Sequence, residues 1–104
     1  MILSGMPHIA VLKVENKTAN LIDCVKFTYD LGEVSIKLKK IKPNSNKQTG
    51  VSTLYNVRDL KMIVYGADKE YLMKSELPKG YSNTITISIT NINYDNCEFE
   101  IQEV

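Results

Sequence analysis

The alternation of side-chain character between residues 84 and 104 constrains this chain more than any other feature. Ile85, Ile87 and Ile89 are interleaved with Thr84, Thr86, Ser88 and Thr90. An extended chain here has one apolar and one hydroxylated face, as a half-buried antiparallel strand requires. Cys97, Phe99 and Ile101 repeat the pattern against Glu98, Glu100 and Gln102. Between the two runs, Asn93, Tyr94, Asp95 and Asn96 include residue types that accept tight-turn dihedrals. The stretch is predicted to be a C-terminal hairpin onto which the other strands pack.

Upstream, residues 9–15 (IAVLKVE) predict a first strand, apolar on both faces in its first half and so suited to a central position, closed by the turn-forming run NKTAN. Residues 22–30 predict a second, with Val25, Phe27 and Tyr29 inward and Cys24, Lys26 and Thr28 on the opposite face; Leu31 and Gly32 make the next turn. Val34, Ile36 and Leu38 alternate with Ser35, Lys37 and Lys39, and Ile41 ends that strand because Pro43 lacks an amide hydrogen. Residues 49–54 predict a weaker strand containing Gly50. In DLKMIVY (59–65), Leu60, Met62 and Val64 fit period two, while Val57, Leu60, Val64 and Ala67 fit a helical stripe. The MIVY run favours a strand, with a short helix near 56–63 as the alternative. A turn at 66–69, a strand at 70–74 and the turn LPKG lead back to the hairpin.

Seven to eight short strands at regular spacing predict an all-β fold, an antiparallel β-sandwich, with a small barrel or an α+β fold as alternatives. The in-phase alternation places Val25, Phe27, Val34, Ile36, Leu38, Ile85, Ile87, Ile89, Phe99 and Ile101 in the core. With 104 residues the chain makes one domain, 9–104, that needs no metal or disulfide, preceded by a tail or cloning remnant at 1–8. VENKTANLIDCVKFTYD, LKKIKPNSN and LPKGYSNTITISI together resemble a class of small clostridial-type β-sandwich proteins. The resemblance implies an immunoglobulin-like fold and carries over no catalytic or binding residue.

Cys24 and Cys97 invite comparison with the inter-sheet disulfide of immunoglobulin domains. The chain has no Trp, its Tyr94 stands three positions before the second cysteine instead of two, and Cys97 opens its strand. Reduced thiols are the expectation. The stretch MILSGMPHI lacks a basic region and a long apolar run, and nowhere do 18 apolar residues follow one another. A cytoplasmic protein without membrane attachment is expected.

A formal net charge of +1 argues against strong global attraction to nucleic acid. His8 is the only histidine, without a partner at metal-ligand spacing. The carboxylates are dispersed at turns and on polar strand faces, and Asn91, Asn93, Asp95 and Asn96 lack the glycine and final Glu of a calcium loop. No GxSxG or phosphate-cradling glycine loop is present. These readings predict a non-catalytic protein with no cofactor and no metal.

The one concentration of charge is Lys37, Lys39, Lys40, Lys42 and Lys47. A strand so charged reads as a guarded sheet edge. Joined by exposed tyrosines such as Tyr55 or Tyr65, it reads instead as a surface for single-stranded nucleic acid. The principal expectation is a module presenting a sheet face or edge to a protein partner, and the alternative is a weak nucleic-acid binder using residues 37–47.

Overall fold

The computed structural model describes residues 8–67, 69–94 and 96–104; residues 1–7, most of the expected tail, lie outside them. Eight strands account for the alternation in the sequence: β1 (Ile9–Asn16), β2 (Ile22–Tyr29), β3 (Val34–Ile41), β4 (Asn46–Ser52), β5 (Val57–Val64), β6 (Glu70–Leu77), β7 (Thr84–Ile92) and β8 (Cys97–Glu103). They form two four-stranded sheets, ordered β4-β1-β7-β8 and β3-β2-β5-β6. β1 runs parallel to β7, and the other described pairings are antiparallel. The sheets remain open and pack face to face. The molecule is a β-sandwich with the two-sheet architecture of immunoglobulin-like domains and its own strand order, and neither a barrel nor an α+β fold.

Successive strands reverse direction, so the loops fall into two groups. Residues 17–21, 42–45, 65–69 and 93–96 connect strands at one end, termed upper; residues 30–33, 53–56 and 78–83 connect them at the other. β1 lies between β4 and β7, which explains why Ala10, Val11 and Leu12 are all buried.

The core is built from Leu12, Val14, Val25, Phe27, Leu60, Met62, Ile85, Ile87 and Ile89 with their neighbours. Full burial of one such side chain contributes about 1.5–3 kcal/mol. Six of the ten expected core residues are buried: Val25, Phe27, Leu38, Ile85, Ile87 and Ile89. Ile36 and Phe99 are half-buried against the cluster. Val34 and Ile101, expected inside, are exposed. Both face the core by parity, but β3 and β8 are edge strands with no neighbour beyond them among the described residues. Cys24 is buried despite lying on the polar face.

Two irregularities explain where period two fails. On β5 the buried residues are Val57, Leu60, Met62 and Val64, a spacing of three and then two. The register shifts between Leu60 and Lys61, beside Asp59 at φ 53°. This bulge gives a strand the partial helical stripe seen in the sequence, and 57–64 is strand throughout. On β3, Leu38 and Ile41 are both buried because Lys40 adopts φ 55°, leaving Lys39 and Lys40 both outside. β4 begins at Asn46, earlier than its alternation suggests, and Gly50 leaves room for the Ile9 side chain.

Candidate functional site

The upper end is organised by Asn16, the last residue of β1, whose side chain is buried. Its Nδ2 donates to the carbonyls of Asn20 and Ile41, both at 2.8 Å. Its Oδ1 accepts from the Thr18 amide at 2.9 Å and the Thr18 hydroxyl at 2.7 Å. One amide side chain thus fixes loop 17–21 and ties β1 to the end of β3 in the other sheet. The Asn16 main chain adds bonds from the Asn44 amide and to the Ser45 carbonyl, so loop 42–45 is held by the same residue.

Across the top, Gly66 takes φ 103° and passes so close to β7 that a Cβ there would lie 3.3 Å from Ile92 Cγ2. That turn sets Tyr65 on the outer face of the sheet, its amide donating to the Cys24 carbonyl at 3.1 Å. Cys24 pairs in turn with Lys39, so Tyr65, Cys24 and Lys39 form one row across the sheet.

Between loop 17–21, Tyr65 and the end of β7 lies a cleft of about 440 Å³, within the usual range for ligand pockets. Leu21, Ile92 and Tyr65 line it, with Lys17, Asp23 and Asn91 among its polar groups. Leu21 and Tyr65 are about half exposed, at 48% and 53%, and Tyr94 in loop 93–96 is 90% exposed. Three large side chains from three loops therefore stand uncovered at one end. Their positions depend on how loops from both sheets meet, which alternation does not encode. The nearest trace in the sequence is the Asn- and Tyr-rich composition of those loops.

All five lysines singled out from the sequence are exposed and lie along the β3–β4 side, but they do not form one surface. Lys37 and Lys39 face outward on β3, beside Lys26 opposite Lys37. Lys40 occupies the kink and Lys42 the loop. Lys47 pairs with Val14, so it lies on the inner side of β4, and its ammonium donates to the main-chain carbonyl of Lys39. It latches one sheet's edge to the other's. Of the two tyrosines named beside the lysines, Tyr65 shares their end and Tyr55 sits in a loop at the opposite end.

The opposite side of the sandwich is also laced. Tyr71 of β6 accepts from the Cys97 amide at 2.8 Å, donates to Asn96 Oδ1 at 3.0 Å and packs edge-on against Phe99, centroids 5.1 Å apart. Glu103 Oε1 meets Lys74 Nζ at 2.6 Å and the Tyr81 hydroxyl at 2.8 Å. The lysine and tyrosine bonds hold the Glu103 carboxyl below its ordinary value. Burial, and then that carboxylate, pushes Tyr81 up to about 12. Burial, with a smaller contribution from Glu98, pushes the Cys97 thiol up to about 11, and both cysteines are free.

His8 is exposed, its carbonyl accepting from the Thr53 amide at 2.8 Å. Asp95, named with Asn91, Asn93 and Asn96, lies outside the described residues. Among the described residues no group of three His, Cys, Asp or Glu is placed to hold a metal, and no helix is long and apolar enough to cross a membrane.

Fold and site define a β-sandwich whose loops expose large apolar side chains at both ends, Leu31, Leu54 and Tyr55 at the lower and Leu21, Tyr65 and Tyr94 at the upper, where Leu21 and Tyr65 line a cleft. No family model matches the chain, and no curated protein matches it.

Proposed function

We propose that this domain is a non-catalytic interaction module that engages a protein partner through its upper end and the adjoining lysine-bearing strand. The observation that carries the reading is the exposure of Leu21 and Tyr65 at one cleft, with Tyr94 exposed on a third loop of the same end. Aromatic anchors on loops held by a rigid sandwich supply contact area at low entropic cost, and covering them removes apolar surface from water. The Lys47 latch supports the loop end over simple strand addition at β3, because it occupies a carbonyl that an added strand needs.

The test is co-purification from source cells after nuclease treatment, comparing the parent with a Leu21→Ser, Tyr65→Ser, Tyr94→Ser variant. The expected outcome is a protein that accompanies the parent and is lost from a variant of unchanged melting temperature. A partner retained by that variant contradicts the reading.

One observation favours a second reading. Tyr65 and Lys39 share a cross-sheet row, so a stacked base and its phosphate have neighbouring contacts. Binding of single-stranded nucleic acid that falls steeply with salt and is lost in Lys39→Gln supports it.

A further inference from the structure

The hairpin loop joining β2 to β3 is closed by the Glu33 amide on the Asp30 carbonyl at 3.2 Å, and it places a leucine where such a turn favours Gly, Asn or Asp. Asp30, Leu31 and Gly32 have consecutive φ values of 54°, 59° and 82°. Glycine, Asn and Asp accept that conformation readily; a leucine is strained in it. Leu31 is also 87% exposed, so it adds little to the core in return. A residue unfavourable in both respects points to an interaction outside the chain.

The tip is rigid. The Asp30 amide donates to the Arg58 carbonyl at 2.8 Å, and Asp30 Oδ1 accepts from the Arg58 amide at 3.1 Å. Leu31 is thereby held out from the lower end amid Asp30, Glu33, Asp59 and Glu70, four carboxylates against the Arg58 guanidinium and the Lys61 ammonium.

The upper end presents the complement. Its cleft is lined by Leu21, Ile92 and Tyr65 and rimmed by Lys17 and Asp23, while Lys39, Lys40 and Lys42 lie along the adjoining edge. Knob and cleft lie at opposite ends of the strands, so one copy cannot satisfy its own cleft.

We propose that the partner is a second copy of this chain, joined head to tail: the Leu31 knob of one molecule enters the Leu21–Tyr65–Ile92 cleft of the next. The contact uses different surfaces on the two molecules, so it is heterologous and leaves a free knob and a free cleft at the ends of every assembly. Open chains follow. The carboxylate excess around Leu31 is opposite in sign to Lys39, Lys40 and Lys42 on the edge beside the cleft, which favours this orientation, and salt weakens the association. The proposal rests on the upper end being an interaction surface and names its occupant.

The experiment is sedimentation equilibrium of three proteins: the parent, Leu31→Asn and Tyr65→Ser. Asparagine accepts the backbone conformation of position 31 and serine stands on an exposed turn, so both variants keep the fold, checked by melting temperature. The parent's average mass is expected to rise with concentration beyond that of a dimer, and to fall back on adding salt. Each variant alone stays a monomer. Mixed in equal amounts, they form a 1:1 dimer that does not grow, because Leu31→Asn retains a cleft and Tyr65→Ser retains a knob.

A parent that stays monomeric up to about 1 mM overturns the proposal. So does a mixture that stays at the monomer mass, or a variant that assembles like the parent. If the parent is monomeric and the triple loop variant still loses a co-purified protein, the self-association fails while the interaction reading stands. If that variant retains the protein as well, both fail.

Discussion

The side-chain amide of Asn16 donates to the carbonyl of Ile41 across the two sheets at 2.8 Å, and the same side chain makes three further bonds into loop 17–21. A buried group so connected is costly to interrupt, because each orphaned partner loses both its bond and its access to water. Asn16→Ala is expected to destabilise the domain by about 2–4 kcal/mol, several times the effect of an exposed turn asparagine. Urea denaturation measures it. A loss below about 1 kcal/mol removes Asn16 from its role as organiser of the upper end.

Ile87 and Ile101 face each other in register, yet Ile87 is fully buried and Ile101 is 44% exposed. Ile87→Asp is expected to leave little soluble folded protein, since it buries an unpaired charge. Ile101→Asp is expected to cost about 1 kcal/mol or less. Soluble yield and melting temperature of the two variants make the comparison; equal effects contradict the assignment of β8 as an open edge.

Lys40 holds φ 55° within β3, whereas Lys37 has ordinary strand geometry. β-branched residues favour strands but tolerate a left-handed backbone poorly. Lys37→Val is therefore expected to be near neutral and Lys40→Val to destabilise by about 1–2 kcal/mol. Thermal or urea unfolding reads the difference, and a neutral Lys40→Val argues against the kink.

These three sites show how far the sequence carries. Strand identity was legible where alternation is clean, in β2, β3, β7 and β8, and the inward residues Val25, Phe27, Ile85, Ile87 and Ile89 follow from it. By contrast, β5 rested on its β-favouring MIVY composition and β6 on the turn before it. Three kinds of information were not legible. The bulge beside Asp59 and the kink at Lys40 shift parity through backbone conformations that no side-chain period announces. Exposure of Val34 and Ile101 depends on strand order, which alternation leaves open. The lysine cluster was visible as a run, but its division into outward groups and a Lys47 latch follows from the pairing of β4 with β1. The cleft is further removed, because it exists only where loops from two sheets meet.

The acid limb of stability should carry the mark of Glu103. Its bonds to Lys74 and Tyr81 lower its native pKa below the ordinary 4.5, so the folded state holds its proton less tightly than the unfolded chain. The resulting stabilisation is complete above that ordinary value and is lost as pH falls through the lower native one. The pair is about a third exposed, so solvent screening limits the effect to under about 1 kcal/mol. Glu103→Gln should be less stable than the parent at neutral pH, with the difference closing as the solution is acidified. A difference that does not change with pH contradicts the assignment.

The central claim is that contact is made at the upper loops and not along a free sheet edge. Tyr65 and Ile101 are comparably exposed, one in the upper cleft and one on the β8 edge, so a photo-crosslinking side chain at either position samples the two possibilities on equal terms. Irradiated in source cells, the variant labelled at 65 is expected to yield a discrete protein adduct, a second copy of the chain included, and the variant labelled at 101 none. An adduct from position 101 with none from position 65 contradicts the account.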